Sequence, residues 1–136
     1  MYEPIRTKSV HTPAQADVPH RSREEELDIR LAGHLTALLT VTDELRALTP
    51  GAELDAAAQE LAEQAARLRG GTAPLRAAPS AREADDAHLA ALHQRAHTLA
   101  GMALVVATAR EDETATALAA SCLDRHAAAL GLTESA

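Results

Sequence analysis

Between residues 27 and 48 the chain places Leu27, Leu31, His34, Leu38, Val41, Leu45 and Leu48 at alternating spacings of four and three. A half-buried strand would repeat every second residue, whereas this spacing belongs to a helix pressed lengthwise against another helix. One of the seven positions is a histidine, so the apolar line carries a titratable group. Ser22 with Glu25 three places on has the form of a capping box, which satisfies backbone N–H groups that a first helical turn cannot pair internally. A helix from Ser22 to about Leu48 is therefore expected.

The same pattern recurs twice more, and a fourth helical segment follows. After Thr49 and Pro50, proline being tolerated in a first turn, Leu54, Ala57 or Ala58, Leu61, Ala65 and Leu68 define a second helix that ends near Arg69 before Gly70 and Gly71. Ser80 and Glu83 repeat the capping-box spacing and predict a long third helix from Ala81 to about Arg110, with Leu89, Leu92, Ala96, Leu99, Ala103 and Val106 as its seam. Asp112 is placed to cap a fourth helix through Leu118, Cys122, Leu123 and Leu130, which Gly131 would end. Short connections imply antiparallel neighbours. The expected fold is all-α, an antiparallel four-helix bundle built from two helical hairpins.

Residues 1–21 hold Pro4, Pro13 and Pro19 among polar residues without a sustained period and are expected to form a flexible N-terminal arm, with the bundle over 22–131 and a short tail over 132–136. A loop containing Pro74 and Pro79 separates the hairpins, where Leu75 is a candidate anchor. Each long helix contains an Ala-Gly pair, Ala32-Gly33 and Ala100-Gly101. Glycine costs a helix interior about 1 kcal/mol relative to alanine, so the pairs suggest close helix crossings.

Composition narrows what can fill the core. The 136-residue chain has no Phe, no Trp and one tyrosine, Tyr2, so Leu, Val and Ala must supply the interior. Such side chains bury less apolar surface each than an aromatic, and sharing apolar faces in a homodimer is a common remedy for a thin core. The net charge is −7, and with four of 13 basic and two of 20 acidic groups in residues 1–23, the remainder carries −9. An acidic body argues against a nucleic-acid or anionic-membrane partner held by simple electrostatics. The most apolar stretch, Ala96 to Ala109, is too short to span a bilayer. With one cysteine and no apolar run after the first basic residues, the expected compartment is the cytoplasm.

One polar cluster departs from the bundle pattern. His93 and His97 are four residues apart on the third helix, and Cys122 and His126 repeat that spacing on the fourth. With His34 from the first helix, up to five nitrogen and sulfur donors would converge if the registers matched, and zinc is the first ion such donors suit. Counting outward from the turn near Asp112 leaves the two pairs offset by about 7–8 Å along the axis. The bland alternative is solvated histidines with Cys122 as a small buried apolar residue. No catalytic residue is nominated: Cys122 with His126 lacks recognisable oxyanion donors or an orienting third group, and the Glu-x-x-His pairs of di-iron bundles are absent. Neither a P-loop nor a dinucleotide fingerprint occurs. The expectation is a non-enzymatic, self-associating protein-interaction or regulatory protein, with a metal or small-ligand sensor using His34, His93, His97, Cys122 and His126 as the alternative.

Overall fold

A computed structural model of the chain describes residues 21–132 as four helices: α1 (Arg23–Leu48), α2 (Ala52–Leu68), α3 (Asp86–Arg110) and α4 (Glu113–Ala129). Residues 1–20 of the N-terminal arm and the last four residues of the C-terminal tail lie outside the described residues. α1 packs against α2 and α3, α3 packs against α4, and α2 touches α4 more lightly, so α1 and α4 face each other across a diagonal. Polar contacts at both ends fix direction. At one end Arg110 donates to Asp28 at 3.0 Å and Arg67 to Asp112 at 2.7 Å. At the other, Arg46 donates to Asp55 at 2.8 Å. The loop between α2 and α3 climbs back along α1 before α3 begins, and every adjacent helix pair is consequently antiparallel.

Local chemistry sets most of the boundaries. Ser22 caps α1 through the reciprocal hydrogen bonds of a capping box with Glu25, at 3.1 and 2.8 Å. Asp112 accepts from the Ala115 N–H at 3.0 Å and caps α4. Past the end of α4, the Leu132 N–H reaches back to the Ala127 carbonyl at 2.8 Å, closing the helix around Gly131 with its φ of 74°. Pro50 is not a first-turn residue: Gly51 is the N-cap of α2, and the proline precedes it.

The start of α3 corrects a sequence expectation. Ser80 and Glu83 do not form a capping box, and the helix begins five residues later than expected, at Asp86, with Asp85 accepting from the His88 N–H at 2.8 Å. The cause is tertiary, since the Ser80 N–H and hydroxyl both donate to the Glu44 carboxylate on α1, at 2.9 and 3.0 Å. Nearby, Arg76 grips the buried Asp43 carboxylate through two hydrogen bonds, at 2.7 and 3.1 Å, and Arg46 adds a third at 3.0 Å. These contacts fasten the crossover loop to α1. Leu75 does not anchor it, being 92% exposed, while Pro74 beside it is buried.

The core is leucine from α1 facing alanine from α3. Leu31, Leu35, Leu38 and Leu45 are fully buried, and so are Ala96, Ala100, Ala103 and Ala107. The inward line of α1 thus runs through Leu35, not His34, which is only half-buried. On α3 the expected leucines Leu89, Leu92 and Leu99 flank the buried alanines as partly buried neighbours. The glycine pairs also need correcting. A methyl group on Gly33 would meet nothing within 4 Å, and one on Gly101 would meet only Leu123, at an ordinary 3.8 Å. Neither glycine is required by a close crossing; the tight contacts belong to the alanines.

Two stability predictions follow from this backbone. Gly33→Ala adds a better helix former in open space and is expected to stabilise the protein by about 1 kcal/mol in urea titrations. Glu111 joins α3 to α4 with φ of 61°, a left-handed conformation that costs a side-chain-bearing residue roughly 1 kcal/mol. Glu111→Gly is therefore expected to raise the urea midpoint, and a lower midpoint would show that the Glu111 side chain contributes more than its backbone costs.

Candidate functional site

α3 and α4 meet along a seam in which the tight Glu111–Asp112 turn sets the register. His97 is fourteen residues before Glu111 and His126 fourteen after Asp112, so these two positions are level. His93 stands one turn further along α3, and its ring reaches across the seam. The Nδ1 atoms of His93 and His126 are 2.9 Å apart, with ring centroids separated by 5.2 Å and planes inclined at 47°. Two facing imidazole nitrogens hold one proton between them: one ring must donate from Nδ1 while the other accepts there and keeps its own proton on Nε2.

The surroundings explain why the pair stays uncharged. His126 is 1% exposed, and burial, followed by the positive influence of His93, Arg125 and His97, pushes its pKa down to about 4. His93 is half-buried, and desolvation lowers its pKa as well. His97, also half-buried, lies close enough for its charge to act on His126.

The other two residues of the expected cluster stand apart. His34 lies six residues along α1 from the Asp28–Arg110 contact, whereas His93 is seventeen residues along α3 from it. That difference separates their levels by about 16 Å. Cys122 is 1% exposed and belongs to the apolar core. Burial is the main influence on its thiol and pushes the pKa up, with Arg125 acting in the opposite direction. The thiol is therefore protonated near neutral pH, a state that neither coordinates nor attacks. The structure thus brings together His93 and His126 with His97 one turn away. No group of three or more His, Cys, Asp or Glu among the described residues is placed to hold a metal ion without rearrangement.

Two further features lie outside the histidine cluster. The first is the Asp43 carboxylate, whose burial under Arg46 and Arg76 could be inferred only once the crossover loop was placed. The second is the outer face of α3. Opposite its buried alanines, the helical period puts Thr98, Met102, Val105 and Ala109 in one exposed line without a charge, with Met102 43% and Val105 69% exposed. Arg95 precedes this line, and exposed Glu111 and Glu113 follow it. Among the described residues no helix is long and apolar enough to cross a membrane. Comparison with protein-family models, curated proteins and solved structures gave no match.

The depressed pKa of His126 fixes the sign of a pH effect. Above its unfolded value of about 6.5 the ring is neutral in both states and folding carries no penalty from it. As pH falls from there towards 4 the unfolded chain binds a proton that the folded one refuses, so stability is lost across that interval. The full loss is on the order of 3 kcal/mol. Urea unfolding at pH 7.5 and pH 4.5 is expected to show a smaller pH penalty in His126→Gln than in the unsubstituted protein; equal penalties would remove His126 as the source.

Proposed function

We propose that this chain is a non-enzymatic helical interaction protein that associates with a second copy of itself through the outer face of α3. The observation that carries the reading is the uncharged exposed line Thr98, Met102, Val105 and Ala109, on a chain in which 24% of residues are charged. Apolar positions left on a helix face directly opposite its core contacts are suited to cover by another helix.

Charge at the two ends favours a copy of the same chain as that partner. In a two-fold antiparallel arrangement with Met102 and Val105 near the axis, Arg95 of each copy comes level with the end of α3 in the other, where Glu111 and Glu113 lie. The parallel arrangement would instead align like charges. A single helix pair lies at the small end of specific interfaces, below about 1,200 Å² in total, and implies a weak dimer whose population follows concentration. An adaptor or regulatory role, with assembly state as the variable, fits such a dimer better than a permanent oligomer does. The absence of a membrane-crossing helix among the described residues is compatible with a cytoplasmic location.

Sedimentation velocity over a wide concentration range tests the proposal. The protein is expected to shift from monomer to dimer, and Val105→Arg, placed at an exposed position that leaves the core intact, is expected to hold it monomeric. Arg95→Glu should weaken the dimer, and adding Glu111→Arg with Glu113→Arg should restore it. A protein that stays monomeric at millimolar concentration, or a dimer indifferent to Val105→Arg, would overturn the reading.

A further inference from the structure

We propose that His93, His97 and His126 form a binding site at the α3–α4 seam for a borderline divalent transition-metal ion, zinc(II) being the type case. The facing Nδ1 atoms of His93 and His126, 2.9 Å apart, are the starting geometry. Zinc binds imidazole nitrogen at about 2.0–2.1 Å, so two nitrogens on one tetrahedral ion stand roughly 3.3–3.4 Å apart. Opening the pair by about half an ångström and turning each ring off the Nδ1–Nδ1 line seats the ion between two neutral imidazoles, the hydrogen once shared between the Nδ1 atoms moving to Nε2 of the ring that carried it.

His97 is the natural third donor. It follows His93 by four residues, which puts their Cβ atoms about 5–6 Å apart on one helix face, and it is level with His126 across the seam. In the unliganded arrangement its ring does not join the pair, so binding requires the His97 side chain to turn toward it. His93 and His97 are half-buried, which gives an ion and a completing water access from the surface. Arg125, held 3.9 Å from Glu53, is the positive group that opposes a cation here and favours modest affinity. His34 and Cys122 take no part, one by distance and the other because its thiol is buried in the core as a protonated group. The chemical class follows from the donors: an all-imidazole set suits zinc, cobalt, nickel and copper and does not suit magnesium or calcium.

Titration calorimetry with zinc sulfate alone tests the site in the full chain carrying His11→Gln and His20→Gln, which removes two histidines outside the described residues. One ion per chain is expected, and cobalt(II) should give the intense visible bands of tetrahedral coordination. His97→Gln is expected to weaken zinc binding about 10-fold or more, and His93→Gln or His126→Gln to abolish it, while His34→Gln and His88→Gln leave it unchanged. His93→Gln alters a half-buried ring and keeps the test valid should His126→Gln disturb folding, which circular dichroism would report. Val105→Arg should not affect uptake, so the metal site and the dimer face fail or stand separately. No zinc uptake up to about 1 mM, or uptake that survives His93→Gln with folding intact, would overturn the proposal.

Discussion

The line of four buried alanines on α3 is the constraint on which the remaining packing depends. With no Phe or Trp anywhere in the chain, the interior has to be filled by bringing backbones together instead of by inserting large side chains. Methyl groups at Ala96, Ala100, Ala103 and Ala107 let α3 lie close to the leucines of α1, and both helices are long enough to sustain that contact over several turns. The short helices serve the same plan from the flanks. α2 contributes Ala57, Ala58, Leu61 and Ala65, and α4 contributes Ala115, Leu118, Ala119 and Cys122. Lengthening any one alanine of the α3 line would separate the two helices that organise the rest.

Antiparallel neighbours on every side follow from how the hairpins are joined. A short link between α2 and α3 would have set them side by side; the long crossover instead sets α1 beside α3 and sends α2 and α3 to opposite corners. The helix dipoles of all contacting pairs then oppose one another, and the ends of the bundle collect charged pairs such as Arg110 with Asp28 and Arg67 with Asp112. These exposed or half-exposed pairs contribute little energy individually. Their value is in choosing one arrangement of the second hairpin over its alternatives.

Helix number, order and most caps were legible from spacing alone, because leucine periodicity and the Ser22, Asp112 and Gly131 signals act locally. What spacing could not supply depended on contacts remote in sequence. Ser80 has the neighbours of a capping residue but is drawn to Glu44, and the apolar line of α1 admits either His34 or Leu35 until α3 supplies the opposing surface. The histidine cluster was half legible. Spacing placed His93, His97 and His126 on facing helices and left their level uncertain, and the compact Glu111–Asp112 turn is what makes His97 and His126 level. Cys122 shared its spacing with His126, yet the apolar core claimed it.

The crossover loop binds to α1 almost wholly through polar contacts, from Arg76 to Asp43 and from Ser80 to Glu44, while Leu75 beside them projects into solvent. Little of the apolar interior would be disturbed by cutting the chain there. The two hairpins would then be separate pieces whose docking depends on how much of each is present, since the covalent tether no longer keeps them at high local concentration. Each piece would retain one half of the leucine-to-alanine contact, so rejoining as a noncovalent pair is built into the way the chain divides its core.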